Sequence, residues 1–176
     1  MRNFLRSRSS EAEIRAALPK LYPRLWRFSL ALTGQSSHAD DLAQATVLRA
    51  IENAAKYTPD TNLDAWVFTM ARRLWLNDLR AAKVRNEGNL VSLHIADLPD
   101  TKAGPEANIF YREVFEQVMK LPEAQRITVL LVYVEGYAYR EAAELLDIPI
   151  GTVMSRLAAA RKTIQKAHAP QEARLS

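Results

Sequence analysis

Apolar residues recur through this chain at helical spacing, and almost nothing in it alternates as a half-buried strand does. Ile14, Leu18, Leu21, Leu25 and Leu32 fall close to one helical face, with Tyr22 and Trp26 beside them. Runs of β-branched residues with period two are missing, and Gly is rare, with 5 in 176 residues. The fold class this spacing predicts is all-α, with helices joined by turns.

The breaks in that periodicity set the organisation. The first helix should stop at Thr33-Gly34, where Gly takes the left-handed cap conformation, with a bend or a late start at Pro19. A second helix is expected from Ser37, where Ser37 and Asp40 have the spacing of a capping box. Its apolar stripe is Leu42, Ala43, Val47, Ala50, Ile51 and Ala54, and Thr58-Pro59-Asp60 ends it. A third helix runs from Leu63 to about Arg85, with Val67, Met70, Ala71 and Leu74 toward a core. Residues 88–107 carry two Gly, two Pro and no sustained period, and read as a linker. After it come a helix over Ile109–Met119 and another opened by Pro122, with Ile127, Leu130, Leu131 and Val134 inward and Gly136 at its end. A short helix then spans Tyr139–Leu146, and a last one runs from about Gly151 to Ala167. Two small helical domains are expected, over 11–87 and 108–168, with a flexible basic arm at 1–10 and a tail at 169–176.

Composition narrows the function classes. Hydrophobic residues are 48% and charged residues 25%, ordinary values for a globular chain. With no cysteine, disulfides, cysteine-ligated zinc and a thiol nucleophile are excluded. His38, His94 and His168 are isolated, without metal-ligand spacing, and no glycine-rich loop cradles a phosphate. No apolar run is long enough to span a bilayer, and the arm lacks the apolar stretch of a secretory signal. Neither an enzyme, a metal site nor membrane insertion is expected. The net charge of +4 permits a nucleic-acid partner, and its placement matters more than its size.

The charge is concentrated near the end. From Gly151 to Pro170 there is no acidic residue, while Arg156, Arg161, Lys162 and Lys166 are basic. A short helix with Ala142, Ala143 and Leu146, a tight turn at Asp147-Ile148-Pro149 and a second helix with Val153 and Leu157 inward make helix-turn-helix grammar. Ala143 allows close approach, Ile148 plugs the crossing, and Thr152 can accept backbone N–H bonds at the helix start or touch a phosphate. A solvated basic helix that complements its own dipole explains the charge but not the turn.

This segment, YREAAELLDIPIGTVMSRLAAARKTI, resembles region four of extracytoplasmic-function (ECF) sigma factors. The resemblance rests on Tyr139, Glu141, Ala143, Pro149, Ile150, Gly151, Thr152, Val153, Ser155, Arg156, Leu157, Ala160 and Arg161, with Leu121-Pro122 matching the opening of the region. It implies that Thr152, Ser155, Arg156, Arg161 and Lys162 hold the −35 element of a promoter. Met154 stands where a basic residue is usual, Ala158 and Ala159 replace a frequent polar-basic pair, and Ala138 stands where a capping Ser is common. The family's −35 preferences are therefore not carried over. A helix with fewer long polar side chains leans on backbone contacts, phosphates and DNA shape.

The front half carries a second resemblance. SHADDLAQATVLRAI is similar to the helix of sigma region two that docks on the clamp helices of the polymerase's largest subunit, through Asp40, Asp41, Leu42, Gln44 and Thr46; Ala45 replaces a common Glu. Asp41, Gln44 and Leu48 lie three or four apart and share a face that mixes polar and apolar groups. NLDAWVFTMARRLWLNDLRAAKVR resembles the −10-reading helix through Trp66, Ala71, Arg72, Asp78, Lys83 and Arg85, with Leu63 in place of an aromatic and Arg73 in place of Asn. Arg73, Asn77 and Arg80 form one polar stripe, flanked by Arg72 and Lys83. Arg can stack on bases and clamp phosphates, and Asn can bond a base edge. The loop from Tyr57 to Asn62 is expected to line a pocket for unstacked bases, while Trp66 and Trp75 are expected to pack.

The resemblance spans roughly residues 15–86 and 110–166. It implies a cytoplasmic promoter-specificity factor, a monomer when free, that works with core RNA polymerase and promoter DNA without a cofactor, and that an anti-sigma factor can hold. Two other functions fit part of the chain. A stand-alone helix-turn-helix regulator leaves the acidic helix and the stripe at 72–85 without a task. A sigma-like mimic that titrates an anti-sigma factor need not keep two basic surfaces.

Overall fold

The computed structural model describes residues 2–59, 61–84 and 114–168. The expected linker at 88–107 and tail at 169–176, with Asp60 and Arg85, lie outside the described residues. The chain divides into two compact units, Met1–His94 and Ile95–Ser176. Among the described residues there is no strand, and the fold is all-α as the spacing predicts.

The first unit is built on α1 (Arg2–Thr33), which packs on both α2 (Ser36–Glu52) and α3 (Leu63–Val84); a 3-10 turn at Ala54–Lys56 follows α2. Helix α1 continues through Pro19 and Pro23, so Pro19 does not mark a late start. The backbone of residues 2–10, read from sequence as an arm, is part of it. Both prolines are exposed, while Ile14, Leu18, Leu21, Leu25 and Phe28 are buried on the opposite side. An interior proline costs about 3 kcal/mol. Burying one large apolar side chain contributes roughly 1.5–3 kcal/mol, and five of them outweigh the two breaks.

The centre of this unit is a stacked pair. Phe28 and Phe68 lie with ring centroids 4.7 Å apart at 15°, and both are fully buried. Arg24 lies 5.7 Å from the Phe68 centroid and forms an ion pair with Asp64, which fixes α3 against α1 from the surface side. Thr46 is buried without penalty because its hydroxyl donates to the Leu42 carbonyl at 2.7 Å. Gly34 ends α1 at φ 76°, and its N–H donates to the Leu30 carbonyl at 2.8 Å.

The second unit contains a helical stretch at 114–119 (α4), then α5 (Glu123–Val129), α6 (Tyr139–Leu146) and α7 (Ile150–His168). Pro122 is the residue before α5 rather than its first, with an extended ψ of 143°. Helix α5 does not run on regularly to Gly136. It widens into a π turn at Leu130–Val134, closed by the Glu135 N–H on the Leu130 carbonyl at 2.9 Å. The extra residue turns Val134 outward, 56% exposed, against the inward place its spacing predicts. Leu121, Val129, Ala143, Val153, Leu157 and Ala160 form the core, and Ile148 packs against it at the crossing of α6 and α7.

Arg126 is the one buried cation among the described residues. It donates to the carbonyls of Met119 and Leu121, at 3.1 and 3.4 Å, and so satisfies the end of α4. Burial lowers its pKa from the ordinary guanidinium value, opposed by the nearby Glu123.

Two substitutions test this packing. Phe68→Ala is expected to cost about 3–5 kcal/mol, read as an earlier urea transition in tryptophan fluorescence, because all three Trp precede α4. Arg126→Ala strips buried carbonyls of a donor, at roughly 1–3 kcal/mol per group. It is expected to lower the midpoint of the far-UV circular-dichroism transition, and an unchanged midpoint would refute this role.

Candidate polymerase and promoter surfaces

Helix α2 begins at Ser36 after Gln35, and no side chain caps it, so the expected capping box of Ser37 and Asp40 does not form. Asp40 is committed elsewhere: it accepts from the Trp26 indole Nε1–H at 2.6 Å, where the Trp26 ring is 8% exposed. A buried indole N–H needs an acceptor, and Asp40 supplies it from the neighbouring helix. Leu42 turns into the core at 5% exposure, as its place in the apolar stripe predicts, and away from the docking face that the resemblance implied. What remains outward is Asp41, Gln44 and Leu48, one above another along α2. Leu48 is 59% exposed, which no packing within the described residues accounts for.

Helix α3 turns Val67, Phe68 and Ala71 inward and leaves Arg73, Asn77, Arg80 and Lys83 exposed. Arg72 is half-buried between the two sides. The Arg80 guanidinium donates to the Asn77 carbonyl oxygen at 3.1 Å, so the stripe is partly pre-ordered. Asn62 caps the helix, its side-chain oxygen accepting the Ala65 N–H at 3.0 Å. Tyr57 is buried, donates to the Thr61 carbonyl at 2.8 Å, and meets the tilted Trp66 ring at 5.3 Å. Trp66 therefore packs, as expected. Thr58, Thr61 and Asn62, not the Tyr57 ring, are the exposed part of that loop.

The α6–α7 pair is a helix-turn-helix. Asp147 takes φ 51°, the left-handed conformation that Asp tolerates, and the Ile148 N–H closes the turn on the Ala143 carbonyl at 3.0 Å. Helix α6 starts without a side-chain oxygen at Ala138, but Glu141 accepts the Ala138 N–H at 2.7 Å. The Pro149 carbonyl accepts the first bonds of α7, so Thr152 lies inside the first turn rather than capping it. Val153, Leu157 and Ala160 face the core. Ser155 and Lys162 stand on the opposite, exposed line, Arg156 with Thr152 on one flank, and Arg161 with Met154 on the other. The two arginines therefore do not share a face.

Sequence periodicity missed three features here. The π turn, which leaves Tyr133 and Val134 exposed, has no local signature. The Asp40 bond needs a partner fourteen positions away. The exposure of Met154 on α7 was legible only as a departure from the usual basic residue, and that of Ile150 had no signal in the sequence.

Comparison with known proteins meets this geometry at both units. Residues 19–85 match the family described as Sigma-70 region 2, and residues 111–164 match Sigma-70, region 4. The chain is 35% identical over 142 residues to the ECF RNA polymerase sigma factor EcfG of Rhodopseudomonas palustris, covering 81% of this chain and 77% of that protein. The chain belongs to the ECF RNA polymerase sigma factors. It is also similar to SigW of Bacillus subtilis, 25% identical over 156 residues, covering 81% of this chain and 82% of that one. Among solved structures it resembles the sigma factor RpoE of Bartonella quintana, crystallised with the anti-sigma factor NepR. That match has a TM-score of 0.72 at 25% identity, covering 88% of this chain and 95% of that chain. CnrH, solved with the cytosolic domain of CnrY, shares the fold at a TM-score of 0.58 and 19% identity, over 94% of this chain and 97% of that one.

As an ECF sigma factor the chain binds core RNA polymerase and promoter DNA and directs initiation to specific promoters. Members of the family are non-catalytic initiation factors. No helix among the described residues is long and apolar enough to cross a membrane.

Asp40→Ala leaves the buried Trp26 N–H without its acceptor. It is expected to cost about 1–3 kcal/mol, seen as a lower melting temperature of the tryptophan-reported unit. Asp40→Asn, which keeps an acceptor oxygen, should recover most of that loss.

Proposed function

We propose that three exposed helix faces divide the work of this sigma factor. Asp41, Gln44 and Leu48 on α2 dock on core polymerase. Arg73, Asn77, Arg80 and Lys83 on α3, with Arg72 at the margin, hold the −10 segment as it opens. Thr152, Ser155, Arg156, Arg161 and Lys162 on α7 hold the −35 duplex. The domains run over 11–87 and 108–168, and the linker at 88–107 lets both engage one promoter. The polymerase does the chemistry, so the chain needs no cofactor. It acts in the cytoplasm and is a monomer when free.

The observation that carries this reading is the outward face of α2. A leucine 59% exposed between polar neighbours contributes nothing to the core of its unit and has the mixed character of a protein interface. The cationic α7, without an acidic residue from Gly151 to Pro170, supports the duplex assignment. The Bartonella quintana relative was crystallised with an anti-sigma factor. We extend that to this chain: an anti-sigma factor covers the α2 and α7 faces and keeps the free protein silent.

Asp41→Lys with Gln44→Lys is expected to weaken binding to core polymerase on the order of tenfold or more, with unchanged circular dichroism. Equal competition for core by the double variant would mean another face docks. Arg156→Ala with Arg161→Ala is expected to weaken promoter binding by the holoenzyme. Loss of a base contact costs about 1–3 kcal/mol and relaxes specificity at one position, and loss of a phosphate contact instead lowers the salt slope by about 0.9. Unchanged affinity and unchanged slope would remove α7 from the duplex.

A further inference from the structure

On α7, Ile150, Met154 and Ala158 follow one another at intervals of four and are all exposed, Ile150 at 43% and Met154 at 50%. The helix already buries Val153, Leu157 and Ala160 at 0%, 1% and 1%, so this second apolar row is not part of its core. It continues into Lys162, and Arg161 lies on the same flank as Met154, two turns further on. A large apolar row is thus set into the one helix of the second unit that is free of acid and rich in cations.

That juxtaposition fits one surface closely. In the major groove a T·A pair differs from a C·G pair by the thymine O4 acceptor and the C5 methyl, and the methyl is read by apolar contact rather than by a hydrogen bond. The flanking cations hold phosphates and bring the row to the groove floor. We propose that Met154, with Ile150 and Ala158, reads thymine methyl groups in the −35 element and sets sequence preference there. The proposal rests on α7 being the −35 helix. It replaces long polar readers with an apolar one, and Met154 is the specificity-determining residue, because its flexible thioether can follow a methyl on either strand.

The test removes the methyl and nothing else. Holoenzyme assembled from core polymerase and this chain selects promoter duplexes from a pool randomised across the −35 region. Each thymine in the selected element is then replaced by deoxyuridine. The expected result is a thymine, on one strand or the other, whose replacement weakens holoenzyme binding roughly fourfold, the effect of one buried methyl group. Holoenzyme carrying Met154→Ala should no longer distinguish thymine from deoxyuridine at that position, while still preferring the selected duplex over a scrambled one. If no deoxyuridine matters, or if Met154→Ala leaves the distinction intact, methyl reading is wrong. If base changes in the −35 element still weaken binding in that case, α7 remains the −35 helix. If scrambling the element and Arg156→Ala with Arg161→Ala also change nothing, the −35 assignment itself falls, and the apolar row belongs to a protein partner.

Discussion

Burial of Val153, Leu157 and Ala160 fixes the rotation of α7 about its own axis, and with it everything the helix shows to the outside. The same constraint acts on α2 through Ala39, Leu42 and Ala43, and on α3 through Val67, Phe68 and Ala71. None of the three outward faces is held by many bonds of its own. Each is where it is because the opposite face has one way to be buried, and a slip of one residue would swing a side chain by about 100°. The stacked Phe28 and Phe68 rings and the left-handed Asp147 are the points at which that rotation is locked, one in each unit.

This division explains why the described helices carry exposed polar and apolar residues that do not serve the core. A protein that acts only with a large enzyme and a duplex keeps its polar and apolar contacts turned outward, and its stability must come from the remaining sides of its helices. Asp40 illustrates the economy. Of the two adjacent acidic residues, Asp40 ties α2 to Trp26 and Asp41 stays exposed, where the proposed docking face needs it. Arg126 does the same inside the second unit, spending its charge on the end of α4.

Much of this was legible in the sequence because helical periodicity is a property of neighbours. The stripes at Ile14–Leu32 and Val153–Leu157, the stops at Gly34 and Gly136, and the turn at Asp147-Ile148-Pro149 all follow from residues within one or two turns. Long-range competition was not legible. Proline propensity allowed a late start of α1 at Pro19, and burial against α2 and α3 keeps the turns before it helical. Ser37 looked like a cap because local spacing does not show that Asp40 is taken by Trp26. Leu42 looked like a contact through the resemblance alone, while its spacing already placed it in the apolar stripe. Phe68, at the centre of its unit, stands beside the more regularly spaced Val67, Ala71 and Leu74, and periodicity does not single it out. The residue types of the functional faces were readable through family resemblance, and their exposure only through packing.

Promoter specificity is expected only when α2 is docked on polymerase and the proposed DNA-binding faces of α3 and α7 act together. Run-off transcription on a promoter selected by the holoenzyme tests this most directly, paired with binding of the same duplex by the chain alone at physiological salt. Discrete run-off products are predicted only when core and chain are both present, with the chain alone binding the duplex weakly and without sequence preference. Tight, specific binding of the duplex by the chain alone, with no new start sites when core is added, would contradict it.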